Sequence, residues 1–310
     1  MPSNYKNSVF SFGKKYRFIL FLNIIASFTL FCTGKKNNDK KIPPIYLNHI
    51  SIVMDSLTYS DIYNSDFLKN EFCAFHAGTV TAADSQSWTG AYIFGEKTYI
   101  EFFKSADQNS VRLTGIGFGV DIIGGTATLY NYINRQMPNK AEKIVRNKMI
   151  NNREIPWFTF LFLSSKDTNR SLRTWVMEYD LDFMKFKYPH KHPDSLTISR
   201  KCSLSNVYRT DLLLKDIIAI EIVLNNAELK QLTNELQLYG YDIVNKKDEL
   251  IAVGPDMRIK IIMGAQSNVS ITKIIFSLTK AIDRQMVFRF GRSSSLLLNI
   301  NKTAVWRFND

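Results

Sequence analysis

The carboxyl group of Glu101 is the first feature of this sequence that chemistry could use. It sits in the middle of Tyr99-Ile100-Glu101-Phe102-Phe103, within the stretch WTGAYIFGEKTYIEFF at residues 88–103. Aromatic and β-branched residues favour strands. Residues 98–103 therefore read as a strand, returning from 91–94 through a turn at Gly95-Glu96-Lys97. Side chains alternate along a strand, so Tyr99, Glu101 and Phe103 share one face. Thr98, Ile100 and Phe102 share the other. Either face is otherwise largely apolar or aromatic. An ionised carboxylate there is costly unless a base, a donor cluster or a metal pairs with it.

Other reactive types are few. The four histidines are His49, His76, His190 and His192. His190 and His192 form a His-x-His pair in a proline-flanked loop, a pattern more often incidental than functional. The three cysteines, Cys32, Cys73 and Cys202, lack metal-site spacing and give no disulfide framework. Gly115, Gly117 and Gly119 alternate along a strand and lack dinucleotide-loop spacing, so they fit close packing or a roomy cavity. No P-loop, nucleophile elbow or zinc-protease helix is present.

The elements that must position these residues follow in chain order. Lys6, Lys14, Lys15 and Arg17 precede an apolar run at 18–31, FILFLNIIASFTLF, and Cys32 comes next. This reads as an export signal over 1–35. It is similar to a bacterial lipoprotein signal with Cys32 as the lipidated residue, although Phe31 is larger than the usual preceding residue. The expected location is the periplasm or the outer membrane, with membrane contact only through that anchor. Residues 36–45 form a polar tether ending in Pro43-Pro44.

A strand at 46–53, a helix from about 55 to 75 capped by Ser56 or Thr58, and the hairpin make a first β-α-β-β-β unit. Strands at 112–122, 156–164 and 173–180 with a helix at 126–136 make a second. Residues 99–103 align with 176–180 as the ends of an internal repeat, which sets Glu101 against Glu178. Residues 183–210 read as a connector. A strand at 216–224, a helix at 226–238 and strands at 241–244, 249–253 and 258–263 make a third unit. Strands at 270–278, 286–289, 295–300 and 303–308 make a fourth, with little room for its helix. Residues 46–182 and 211–310 are thus two module pairs. The fold class is α+β, built from tandem βαβββ units.

Composition excludes little. The 310 residues are 45% hydrophobic and carry a formal net charge of +12. Lys and Arg are spread along the chain, which argues against a nucleic-acid face.

Repeated βαβββ units with Leu47-Asn48-His49-Ile50, Phe94-Gly95, Tyr99-Ile100-Glu101, residues 115–121 (GIGFGVD) and Met177-Glu178-Tyr179 resemble the vicinal oxygen chelate superfamily. That group holds glyoxalase I, extradiol dioxygenases and bleomycin-resistance proteins. The chain also resembles exported bacterial proteins of glyoxalase-like architecture. The resemblance implies a cupped sheet and a divalent metal (Mn, Fe, Ni, Co or Zn) on His49, Glu101 and Glu178. Gly115 falls on the fourth ligand position and cannot ligate. In the second half, Ala219, a residue near Ile261, Lys273 and Arg307 fall on the ligand positions, and none is a normal metal ligand.

The implied function is a metal-dependent isomerase, lyase or dioxygenase acting on a small oxygen-rich substrate. The alternative is a metal-free binding protein whose cup is lined by Trp88, Tyr92, Tyr99, Phe103 and Trp157. A structural surface lipoprotein is a third reading.

Overall fold

The computed structural model describes residues 42–105, 114–163, 171–190, 197–246, 249–264 and 270–308. The export segment with Cys32, and His192, lie outside the described residues.

The first half runs β1 (Tyr46–Met54), α1 (Ser56–Asn64), a π turn (Leu68–Phe72), β2 (Ala74–Thr81), β3 (Ser87–Phe94) and β4 (Tyr99–Lys104). It continues with β5 (Thr114–Gly119), α2 (Gly125–Gln136), β6 (Ala141–Ile150), β7 (Arg153–Leu163) and β8 (Leu172–Tyr179). Two short helices, α3 (Leu181–Lys187) and α4 (Arg200–Leu204), lie between the two halves. The second half runs β9 (Leu214–Leu224), α5 (Asn226–Leu238), β10 (Asp242–Lys246), β11 (Glu249–Val253) and β12 (Arg258–Met263). It closes with β13 (Ser270–Leu278), β14 (Met286–Phe290), β15 (Ser294–Asn299) and β16 (Thr303–Phe308).

These strands make two eight-stranded sheets, ordered β2-β3-β4-β1-β5-β8-β7-β6 and β10-β11-β12-β9-β13-β16-β15-β14. In each, the first strands of two successive units pair antiparallel at the centre. The expected α+β architecture of paired βαβββ modules is present.

Local chemistry explains most boundaries. The first helix ends at Asn64, well short of residue 75, and its cap is Asp55. The Asp55 carboxylate accepts from the backbone N–H groups of Leu57 and Thr58, both at 2.9 Å. The fourth unit has no helix between β13 and β14, and this reverses its meander. A crossover helix carries the chain back to the starting end of the sheet, so β1 and β4, and β5 and β8, run parallel. Without that return β14 starts where β13 ends, and β16 lies antiparallel to β13. The first unit covers the exposed strand instead. Phe67 stacks on Phe288 with ring centroids 3.6 Å apart, and Gly291 N–H donates to Asp61 at 2.8 Å.

A single apolar core joins the two sheets. Phe102 meets Trp306, and Phe118 meets Tyr239 and Tyr241. Polar ties flank it. The Asp216 carboxylate accepts from the N–H groups of Lys97 and Thr98 and from the Thr98 hydroxyl, which docks the β3–β4 turn on the start of β9. Arg200 is buried; it donates to Asp121, to Asp256 at 2.7 Å and to the Leu47 carbonyl, and lies 4.3 Å over the Tyr46 ring.

Replacing Arg200 by Leu strands two carboxylates that the guanidinium neutralises. Urea unfolding of Arg200→Leu is expected to show a loss of roughly 3 kcal/mol. A change below about 1 kcal/mol would show that Arg200 is not a structural tie.

Candidate functional site

Alternation in β1 separates two environments. From His49 onward, Ile50 and Ile52 face the core while His49 and Ser51 face a cavity of roughly 600 Å³ on the other side of the first sheet, and an irregularity between Leu47 and His49 turns Leu47 to the core as well. The same parity on β4 sends Tyr99, Glu101 and Phe103 into the cavity. On β8 it sends Arg173, Trp175, Met177 and Tyr179. Trp88 and Tyr92 of β3 and Trp157 of β7 complete an aromatic wall, and Phe183 and Lys187 of α3 cover one side. All five residues expected to line a ligand pocket, Trp88, Tyr92, Tyr99, Phe103 and Trp157, line this cup.

His49 is wedged into the floor. Its ring stacks on Tyr99 at 4.6 Å and meets Trp175 at 5.2 Å. Its Nδ1 lies 2.8 Å from Asn48 Oδ1. That oxygen only accepts, so Nδ1 carries the proton and Nε2 the lone pair. Burial pushes the imidazole pKa down to about 3, so it is neutral at physiological pH. The β5 glycines are explained by packing. A Cβ at Gly117 would collide with the His49 ring, and one at Gly115 with the far edge of the Trp175 indole. Trp175 Nε1 is buried with no partner among the described residues.

Glu101 stands beside these rings. Ser51 Oγ donates to its carboxylate at 3.1 Å. Burial raises the phenol of Tyr179 to about 12 and that of Tyr99 well above its ordinary value, with the nearby Glu101 charge a lesser contribution. Both phenols therefore stay protonated and able to donate hydrogen bonds.

Glu178 is not part of the cup. It faces the opposite side of β8 and caps α2, accepting from Gly124 N–H at 2.7 Å, Thr126 N–H at 2.8 Å and the Thr126 hydroxyl at 2.7 Å. The pairing register shows why the repeat alignment misplaced it. His49 pairs with Gly117, and Ser51 with Gly115, so the two-fold relation sets Gly115 against His49 and Gly117 against Ser51. Ser51 is level with Glu101 on β4, and Gly117 is level with Trp175 on β8. The counterpart of Glu101 is therefore Trp175.

A divalent ion needs three or four converging donors. Here Gly115 and Trp175 occupy two of the four repeat positions, and Glu178 points away. Among the described residues no three His, Cys, Asp or Glu side chains form a group able to hold a metal ion. The side chains present do not fit the ion that the resemblance implies. In the second sheet the corresponding region is an ion-pair cluster, with Lys273 bonded to Glu221 at 2.7 Å and Lys260 to Glu249 at 2.7 Å.

Sequence reasoning missed several cup residues. His76 lies on β2 with its ring 6.2 Å from Tyr92, and Arg146, Lys148, Arg173 and Lys187 bring positive charge to the lining. The alternation of Arg173, Trp175, Met177 and Tyr179 was the available signal on β8. His190 is exposed and does not line the cup.

The strand order and the cup define a protein of glyoxalase-like, paired-module fold. The chain matches the model of a family of unknown function, DUF5829, over residues 47–308, and belongs to that family. No curated protein matches it. A hypothetical protein from Staphylococcus aureus is similar in structure, with a TM-score of 0.51 at 11% identity, over 82% of this chain and 99% of that one. An extradiol ring-cleaving dioxygenase from B. fuscum aligns with a TM-score of 0.40 at 11% identity, over 76% of this chain and 58% of that one. The catechol dioxygenase BphC, described as halotolerant, aligns with a TM-score of 0.41 at 7% identity, over 85% and 86% of the two chains.

Two outcomes follow from the His49 wedge. Gly117→Ala forces the imidazole from its place and is expected to cost about 1–3 kcal/mol in urea unfolding. The second concerns pH. Burial lowers the folded-state pKa of His49 from 6.5 to about 3. Below pH 6.5 the unfolded chain therefore takes up a proton that the folded chain refuses, and stability falls as pH drops towards 3. Between pH 7 and pH 5 this group is expected to remove about 2 kcal/mol. His49→Gln should lose that part of the pH dependence, and an equal slope in both proteins would show that His49 is not its source.

Proposed function

We propose that this protein binds a small apolar or aromatic molecule in the cup of its first sheet, without a metal. The observation that supports this most directly is the substitution pattern of the site. Where paired donors would hold an ion, Gly115 and Trp175 stand instead, and Trp175 and Tyr99 close aromatic faces around a neutral His49. Cups of this size with aromatic walls and a few polar groups suit small ligands. The Glu101 carboxylate, held by Ser51, and the protonated Tyr179 phenol, bonded to Tyr99, supply an acceptor and a donor that would orient one. The reading includes export, on the strength of the basic and apolar run ending at Cys32.

N-phenyl-1-naphthylamine is a neutral aromatic probe that fluoresces on entering an apolar site. It is expected to bind the chain from residue 42 onward and to quench tryptophan emission. Trp157→Ala should weaken it roughly tenfold, as expected for an aromatic anchor at the centre of a binding site. Chelator should leave binding unchanged. Absence of binding would sink the reading. Binding abolished by chelator and restored by Mn, Fe, Ni, Co or Zn would replace it with a metal-dependent one, with His49 and Glu101 as the first residues to test.

A further inference from the structure

The cup is electrically polarised. Glu101 lies on β4, on one side of the central β1–β5 pair, and Lys148 lies on the edge strand β6, on the other side of that pair. Lys148 Nζ stands 4.6 Å over the Trp157 ring. Lys187, at the end of α3, lines the same cavity, and its Nζ donates to the Ser203 carbonyl at 2.7 Å. Both lysines are half-buried.

Neither lysine makes an ion pair with a described carboxylate. Arg146 of the same lining is satisfied by Asp84 at 2.5 Å. Burial, and then the charge of Lys148, lower the Lys187 pKa to about 8, and burial lowers that of Lys148. Two desolvated cations that repel one another beside an aromatic wall are an unbalanced arrangement. A negative group placed between them would balance it. Trp157, under Lys148, runs parallel to Trp88 with planes 8° apart and centroids at 6.3 Å, which sets two parallel aromatic rings beside the charge.

We propose that Lys148 and Lys187 hold the acidic group of the ligand, so that the cup takes an aromatic ring system bearing one carboxylate or sulfonate. This rests on the binding reading above. One acidic group matches the two lysines that share one side of the cup, while the Glu101 carboxylate on the other side suits a hydroxyl or N–H donor.

The test compares two probes of one skeleton. The anion 8-anilino-1-naphthalenesulfonate is N-phenyl-1-naphthylamine with a sulfonate added. The sulfonate is expected to bind at least about tenfold tighter than the neutral probe, and raising salt from about 20 mM to about 500 mM should shrink that advantage. In Lys148→Gln/Lys187→Gln the ratio of the two affinities should fall to about one. The salt series on the unaltered protein decides the matter where the double variant fails to fold. Equal binding of the two probes by the unaltered protein, an advantage that salt leaves intact, or a ratio unchanged in the folded variant would overturn the assignment while leaving the cup as a binding site. Failure of both probes would overturn the binding reading and the assignment together.

Discussion

The packing of the His49 imidazole over Gly117, between Tyr99 and Trp175, is the contact on which the site depends. It sets a neutral ring in the floor of the cup and forbids a side chain on the facing residue of β5. The same logic continues one step along β5, where Gly115 leaves room for Trp175. A strand of alternating glycines is normally weak, because glycine loses much conformational freedom on ordering and contributes no side-chain packing. Here the rings of neighbouring strands fill the space, and β5 is held at the sheet centre between β1 and β8.

The consequence is chemical. Two modules related by a two-fold axis would present matching donors to one point. Only one module retains His49 and Glu101 on the cup face, and the other presents Gly115 and Trp175 there. The carboxylate of Glu178 serves α2 instead, satisfying N–H groups that a helix start leaves without partners. What remains is an aromatic cavity with a carboxylate on one side and two lysines on the other, an arrangement suited to recognising a polar aromatic molecule.

The second sheet supports the first. Its ion pairs around Glu221 occupy the region that would be a second site. Its core strands share apolar contacts with the back of the cup sheet. The turn that feeds Glu101 into β4 is pinned by Asp216 of the second half. Thr174, a core-facing neighbour of Trp175, donates to the buried Glu235 of α5 at 2.5 Å. Cup geometry is thereby tied to the integrity of both halves.

The sequence by itself determined the strand-rich repeat, the α+β class, the strand of Glu101 and the face on which Tyr99, Glu101 and Phe103 stand. Period-two alternation is a local property of the backbone, so it is legible without any partner strand. The role of the glycines was legible only as spacing. Which residue of β8 opposes Glu101 depends on register between strands, and register is decided by long-range pairing and core packing. Two acidic residues at the ends of similar strands therefore looked equivalent, yet one enters the cup and the other caps a helix. The lysines and His76 come to the cavity from an edge strand on each side and a short connector helix, elements distant in sequence from Glu101. Only the closed tertiary structure brings them together, because the curvature of one sheet, and not any local motif, makes the cup.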